Sequence, residues 1–209
     1  MSQDIIAIDG PAGSGKSTVA RAVAQALGWT FLDTGAMYRA LTCEALHEGV
    51  DVHDQGAMGE LAASARITTL PRVSVNGRDV EDEIRTEPVN VAVSVVAANP
   101  LVRSSMVARQ RELAGAQDVG TVVEGRDIST VVFPNATLKV YLTATLEERS
   151  RRRGEEGVES VERRDLADTT REASPLRQAS DALLVDTTGR RVEDVVEEIV
   201  ECLKNITSN

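Results

Sequence analysis

From Gly10 to Ser17 the chain reads Gly-Pro-Ala-Gly-Ser-Gly-Lys-Ser, which fills every position of the phosphate-binding pattern GxxxxGK(S/T). The chemistry behind the pattern is simple. Gly10, Gly13 and Gly15 let successive backbone N–H groups turn inward around an anion, Lys16 can reach the β and γ oxygens of a nucleoside triphosphate, and the Ser17 hydroxyl suits Mg²⁺. Gly10, Pro11, Ala12, Gly13, Ser14, Gly15, Lys16, Ser17 and Thr18 are therefore the candidate ATP site, with Ser17 as the metal ligand. The other cations are nearly all arginines, several of them gathered between Arg149 and Arg171; Arg149 and Arg153 are four apart and share a face if that stretch is helical. The histidines, His47 and His53, fall in segments without motif character, so no general base is evident.

The elements that must hold this loop are legible around it. Residues 5–8 form a short apolar run that reads as a buried strand, and Val19, Ala20, Val23, Ala24 and Leu27 recur at helical spacing until Gly28. Strand, loop and helix in that order place an anion at a helix N-terminus, where unpaired N–H groups and the macrodipole favour it. Residues 30–33 read as a second strand, after which Asp33 caps a helix that stops at Gly49. Residues 54–65 read as helical, residues 66–70 and 73–75 alternate as strands, and Asn76-Gly77 marks a tight hairpin turn. Two helices follow, broken at Asn99-Pro100 because a residue before proline avoids the α region. Strand-like runs return at 120–123, 138–142 and 182–185 with helices between them, and the last helix carries a one-sided stripe of Val192, Val195, Val196, Ile199, Val200 and Leu203. The expected fold is α/β: a P-loop-type parallel sheet of five strands with helices on both faces, a small antiparallel insertion and a helical lid.

Composition narrows the partners. A formal net charge of −10 and an aromatic content of 2% argue against a nucleic-acid polymer. No apolar run approaches the roughly 18 residues of a membrane span, and no signal-peptide pattern opens the chain, so it is expected to be cytoplasmic, without a membrane partner and monomeric. Cys43 and Cys202 sit at apolar helix positions without neighbours at metal-ligand spacing, and read as buried free thiols. A GTPase base-specificity motif NKxD is absent, and Asp186-Thr187-Thr188-Gly189 matches DxxG too late in the chain to serve one. What remains is a small kinase of the P-loop class, or a nucleotide-operated switch; the acceptor must be read elsewhere.

Here the residues resemble the bacterial cytidylate kinases, nucleoside monophosphate kinases that phosphorylate CMP. The resemblance runs through Asp9 to Ser17, Leu32-Asp33-Thr34-Gly35-Ala36-Met37-Tyr38-Arg39, Glu83-Ile84-Arg85, Val102-Arg103, Glu124-Gly125-Arg126-Asp127, Thr130-Val131-Val132-Phe133-Pro134, and Arg164-Asp165 with Asp168, Arg171 and Pro175. It implies a single kinase domain over residues 1–209, with a core at 1–65, 86–145 and 176–209, a monophosphate-binding insertion at about 66–85 and a lid at about 146–175. It also implies transfer of the ATP γ-phosphoryl, with Mg²⁺, to CMP and dCMP in pyrimidine nucleotide metabolism.

Within that resemblance Arg39, Arg126 and Arg171 match arginines that hold the CMP phosphate, and Asp127 with Arg103 matches the positions that read cytosine, Thr34 adding a hydroxyl. Ser94, Arg164 and Asp168 match sugar contacts, and Lys16, Arg126, Arg164 and Arg171 are the implied catalytic cations. Arg149, Arg152 and Arg153 are expected on the lid helix, clamping transition-state charge on closure and standing far from Lys16 when no ligand is bound. Ser129 departs from the family pattern, standing where glycine is common, next but one to Asp127.

Overall fold

The structure is a computed structural model that describes residues 4–154, 157–170 and 174–208. The chain divides into two compact units, one of residues up to Leu32 and from Leu113 onward, the other Asp33–Glu112.

The first unit is built on the strands β1 (Ile5–Asp9), β2 (Thr30–Asp33), whose last residue begins the second unit, β6 (Thr121–Glu124), β7 (Leu138–Thr143) and β8 (Leu183–Asp186), in the order β2-β6-β1-β7-β8. Pairing of β1 with β6, β1 with β7, and β7 with β8 is parallel, as strands joined through helices require. On one face Ile6, Ile8, Val122, Val140 and Leu142 pack with α1 (Lys16–Leu27) and α8 (Val192–Thr207), which contribute Val19, Val23, Val195, Ile199 and Leu203. Ile5, Ala7 and Asp9, which alternate to the opposite face, are buried as well. A strand buried on both sides must be apolar throughout, which is why β1 reads as a continuous run. Helix α1 ends where the sequence says it should: Gly28 adopts a left-handed φ of 66° and its N–H reaches the carbonyls of Ala24 and Gln25. Cys43 is buried as expected, whereas Cys202 is only half-buried, at the edge of the stripe of α8.

The helices where the lid is expected are α6 (Leu146–Arg153) and α7 (Gly157–Thr170), which pack on each other. Thr145 caps α6, accepting from the Glu148 N–H, and Glu147 and Glu148 occupy its first turn with Arg151, Arg152 and Arg153 in its last, the arrangement that the helix dipole favours.

The second unit holds α2 (Thr34–Glu48), α3 (Gln55–Ser64), α4 (Glu87–Ala98) and most of α5 (Pro100–Gly115), with a small antiparallel sheet of β3 (Ile67–Thr68), β4 (Ser74–Val75) and β5 (Arg78–Asp79). Asp33 caps α2 by accepting from Ala36 N–H at 2.8 Å, and Asn76 and Gly77 both take positive φ at the hairpin turn, 52° and 83°. The sheet is tied to α2 by the buried Glu44, which accepts from Asn76 Nδ2 at 2.7 Å and pairs with Arg78 at 3.0 Å. No single helix among the described residues is long and apolar enough to cross a membrane.

Candidate active site

The phosphate loop occupies the turn between β1 and α1, and its shape follows from its glycines. Gly13 and Gly15 have φ of 78° and 87°, values that a side chain would strain. Gly10 has a second constraint, since a Cβ there would lie 2.1 Å from the Leu142 carbonyl oxygen of β7. Lys16 is buried at the start of α1, its Nζ donating to the Pro11 carbonyl at 2.7 Å across the loop. Burial and the nearby Arg126 cation pull its pKa down to about 7, against the opposing pull of Glu124, Asp168 and Asp9. Ser17 and Thr18 are exposed.

Facing the loop from β6 is the segment that the sequence singles out. Ile8 and Glu124 are partners in the β1–β6 register, so the strand that enters the phosphate loop and the strand that leads to Arg126 and Asp127 end side by side. Glu124 and Asp127 are buried. Arg126 donates from Nε to Asp168 at 2.6 Å. Burial works against the charge of Arg126, and Asp168, with Glu124, more than restores it. Asp168 thus reaches from α7 to the strand ends of the first unit. The side chain of Arg164, and Arg171 as a whole, lie outside the described residues.

The arginines of α6 pack close to the loop. Arg149 and Arg152 lie on the phosphate loop. Arg149 is buried, donating from Nε to Ala144 O at 3.1 Å and from one terminal nitrogen to Ala12 O at 3.2 Å, and it pairs with Asp165 of α7. Arg152 reaches Gly13 O at 3.4 Å and binds Thr187 through both its hydroxyl, at 2.9 Å, and its carbonyl, at 2.8 Å. Steric room makes this possible: a Cβ on Gly13 would sit 2.7 Å from the Arg149 carbonyl oxygen, so glycine there lets α6 rest on the loop. Arg153 is half-buried on the same helix.

In the second unit, Thr34 and Arg103 are buried, and the Arg103 guanidinium sits 5.9 Å from the Tyr38 ring centroid, one helical turn from Thr34 on α2. Arg39 donates to the Ile84 carbonyl at 2.7 Å and to Asn90 Oδ1 at 2.8 Å. Ser94 lies four residues beyond Asn90 on α4 and is exposed.

Sequence reasoning missed three participants. Asp9 is buried and accepts from residues 128 and 129, over a π-helical turn at Ile128–Val132 that no sequence signal announces. Asn90 shares Arg39, and only the tertiary packing of α2 on α4 brings it there. Thr187 belongs to the Asp186-Thr187-Thr188-Gly189 stretch that served no GTPase role; it is buried, and its hydroxyl is within hydrogen-bond range of Ser14 O at 3.1 Å and Thr143 O at 3.0 Å. The signal for it was the motif itself, a polar cluster at the C-terminal end of a parallel strand, where ligand sites gather.

Comparison with known proteins agrees with this geometry. The family model for cytidylate kinase matches residues 6–205. The chain is 51% identical to a cytidylate kinase of Geobacillus kaustophilus over 213 aligned positions, covering 94% of each chain. It is 44% identical to a cytidylate kinase of Bacillus subtilis, with 95% of this chain and 96% of the relative covered. Among solved structures, TT1252 of Thermus thermophilus superposes with a TM-score of 0.57 at 20% identity, over 98% of both chains, a likeness of fold. With a complete phosphate loop after β1, the Arg126-Asp127 pair just beyond the end of the neighbouring strand, and relatives matched nearly end to end, the chain belongs to the cytidylate kinase family.

Proposed function

We propose that the protein transfers the γ-phosphoryl group of ATP to a phosphate oxygen of CMP, and of dCMP, giving ADP and CDP or dCDP. The observation that carries this reading is the register of β1 against β6, which ends the phosphate loop's strand and the Arg126-Asp127 strand side by side. The attacking oxygen is already anionic, so no base has to remove a proton, consistent with His47 and His53 both being exposed. A lone pair on the CMP phosphate forms the new P–O bond, while the bond from the γ phosphorus to the β–γ bridging oxygen breaks and ADP leaves with that electron pair. Catalysis then consists of alignment and of positive charge around the transferring group.

Lys16, freed from Pro11 O, reaches the β and γ oxygens, and the loop amides of residues 10 to 18 hold the phosphates, with Arg149 and Arg153 adding charge from α6. On the resemblance, Arg39, Arg126 and Arg171 hold the acceptor phosphate. Asp127 accepts from the cytosine amine, Arg103 supplies the matching donor, and Thr34 contributes its hydroxyl. Ser94, Arg164 and Asp168 serve the sugar. Among the described residues no group of three or more His, Cys, Asp or Glu side chains could hold a metal, so Mg²⁺ fits here only as a companion of ATP, with the exposed Ser17 hydroxyl as its protein ligand. Bound that way, the ion neutralises charge on the β and γ phosphates.

The two units are proposed to work as one kinase domain on free nucleotides, as a monomer in the cytoplasm and without a nucleic-acid or membrane partner. The insertion at about 66–85 serves CMP, and the lid at about 146–175 excludes water, which would otherwise take the phosphoryl group. The test is transfer itself: with γ-labelled ATP and CMP, label should appear in CDP, dependent on Mg²⁺. Label released only as inorganic phosphate would overturn the reading.

A further inference from the structure

Helix α7 turns one side toward the first unit. Along it Val161 is buried and Asp165 and Asp168 are half-buried, at the four- and three-residue spacing of a single helical face, while Glu162, Arg163 and Leu166 are exposed. The two carboxylates reach different partners. Asp168 accepts from Arg126 Nε at 2.6 Å, beyond the end of β6. Asp165 pairs with Arg149 of α6. Asp168 belongs with the contacts proposed for CMP, whereas Asp165, next to Arg164 in the same stretch, belongs to none of the contacts proposed for either substrate.

Arg149 is tied to the phosphate loop by its backbone and by its side chain. Its carbonyl oxygen and Cβ lie 2.7 and 2.9 Å from the place a Cβ on Gly13 would take. One terminal nitrogen, Nη1, donates both to Ala12 O at 3.2 Å and to Asp165 Oδ2, and Nε donates to Ala144 O at 3.1 Å. The guanidinium is a rigid planar fork, so holding Nε and Nη1 also sets the direction of Nη2. Nη2 has no hydrogen-bond partner among the described residues. Carbonyl oxygens alone would leave the buried cation uncompensated, and the Asp165 carboxylate supplies the opposite charge.

We propose that Asp165 is a positioning residue for the phosphoryl donor: it holds Nη1 of Arg149 against the Ala12 carbonyl, which steadies the phosphate loop and reserves Nη2 for the triphosphate. This rests on the reading of Arg149 as an ATP contact. Helix α7 then divides its two carboxylates between the substrates, Asp165 serving ATP through Arg149 and Asp168 serving CMP.

The test compares wild type, Asp165→Asn, Arg149→Met and the double variant, each folded by circular dichroism, for kcat and for KM of ATP and of CMP. Arg149→Met should raise KM for ATP at least tenfold; an unchanged value would overturn the ATP contact itself. Asp165→Asn, which keeps the shape and removes the charge, should raise KM for ATP about tenfold, the difference between a charged and a neutral partner for a guanidinium, while KM for CMP stays at the wild-type value. In the Arg149→Met background, Asp165→Asn should add no further rise. An unchanged KM for ATP in Asp165→Asn, an equal rise in both KM values, or the same tenfold effect without Arg149 would overturn the positioning role while leaving the Arg149 contact in place. The split between the two KM values in Asp165→Asn decides the positioning role even where loss of Arg149 prevents folding.

Discussion

With its pKa pulled down to about 7 by burial and by Arg126, Lys16 is mostly neutral at pH 8, and its Nζ rests on the Pro11 carbonyl. Triphosphate oxygens brought beside it favour the charged form, so ATP binding should raise that pKa toward the ordinary lysine value of roughly 10.4. The sign follows: binding at pH 8 should take up about one proton, and affinity should weaken as pH rises above 7. Calorimetry of ATP binding at pH 8 in buffers of different ionisation enthalpy measures this; no net uptake would show that Lys16 is charged before ATP arrives. Lys16→Ala should keep the fold by circular dichroism and lose about 100- to 1000-fold in kcat, the range seen when one preorganised donor to transition-state charge is removed. Near-normal turnover would refute its role.

Helix α6 seated on the phosphate loop makes the donor site a joint property of two elements. Gly13→Ala should weaken ATP binding sharply, because the added Cβ meets the Arg149 backbone at 2.7 Å and the positive φ is strained besides. Arg152→Ala should raise KM for ATP by several-fold, since it unties α6 from Gly13 and Thr187, and should raise acceptor-independent ATP hydrolysis as the lid loosens. KM for ATP equal to wild type in Arg152→Ala would show that the link to Gly13 and Thr187 has no bearing on nucleotide binding. In the second unit, Glu44→Ala should cost about 2 kcal/mol in denaturant unfolding, because Asn76 Nδ2 and Arg78 lose their buried acceptor. No loss of stability would mean the small sheet is held by its apolar contacts alone.

How far the sequence discloses this depends on whether the cause is local. The stop of α1 at Gly28, the cap of α2 by Asp33 and the turn at Asn76-Gly77 are set by backbone freedom and neighbouring polar groups, and each is found where the residues point. The burial of Arg149 is different. A run of charged residues reads as a solvated cover, and only the contact with Ala12, 137 residues away in sequence, turns one of its arginines inward. Asp9 and Ser129 meet across 120 residues in the same way, through the parallel register of β1 and β6.

For the molecule as a whole, a net charge of −10 has to coexist with anionic substrates. The structure resolves this by local concentration: Lys16, Arg126, Arg149 and Arg152 gather at the strand ends of the first unit, where long-range repulsion is screened over about 10 Å at 0.1 M salt and short-range attraction is not. The family likeness runs from residue 6 to residue 205, so it covers nearly the whole chain and not the phosphate loop alone. The central claim is the identity of the acceptor. It is tested most directly by following ADP formation from ATP and Mg²⁺ with CMP, dCMP, UMP, AMP and GMP offered separately, against a blank without acceptor. A strong signal with CMP and dCMP over a low blank is the predicted result; equal rates with and without every nucleotide would contradict it and leave an ATPase or a nucleotide-operated switch.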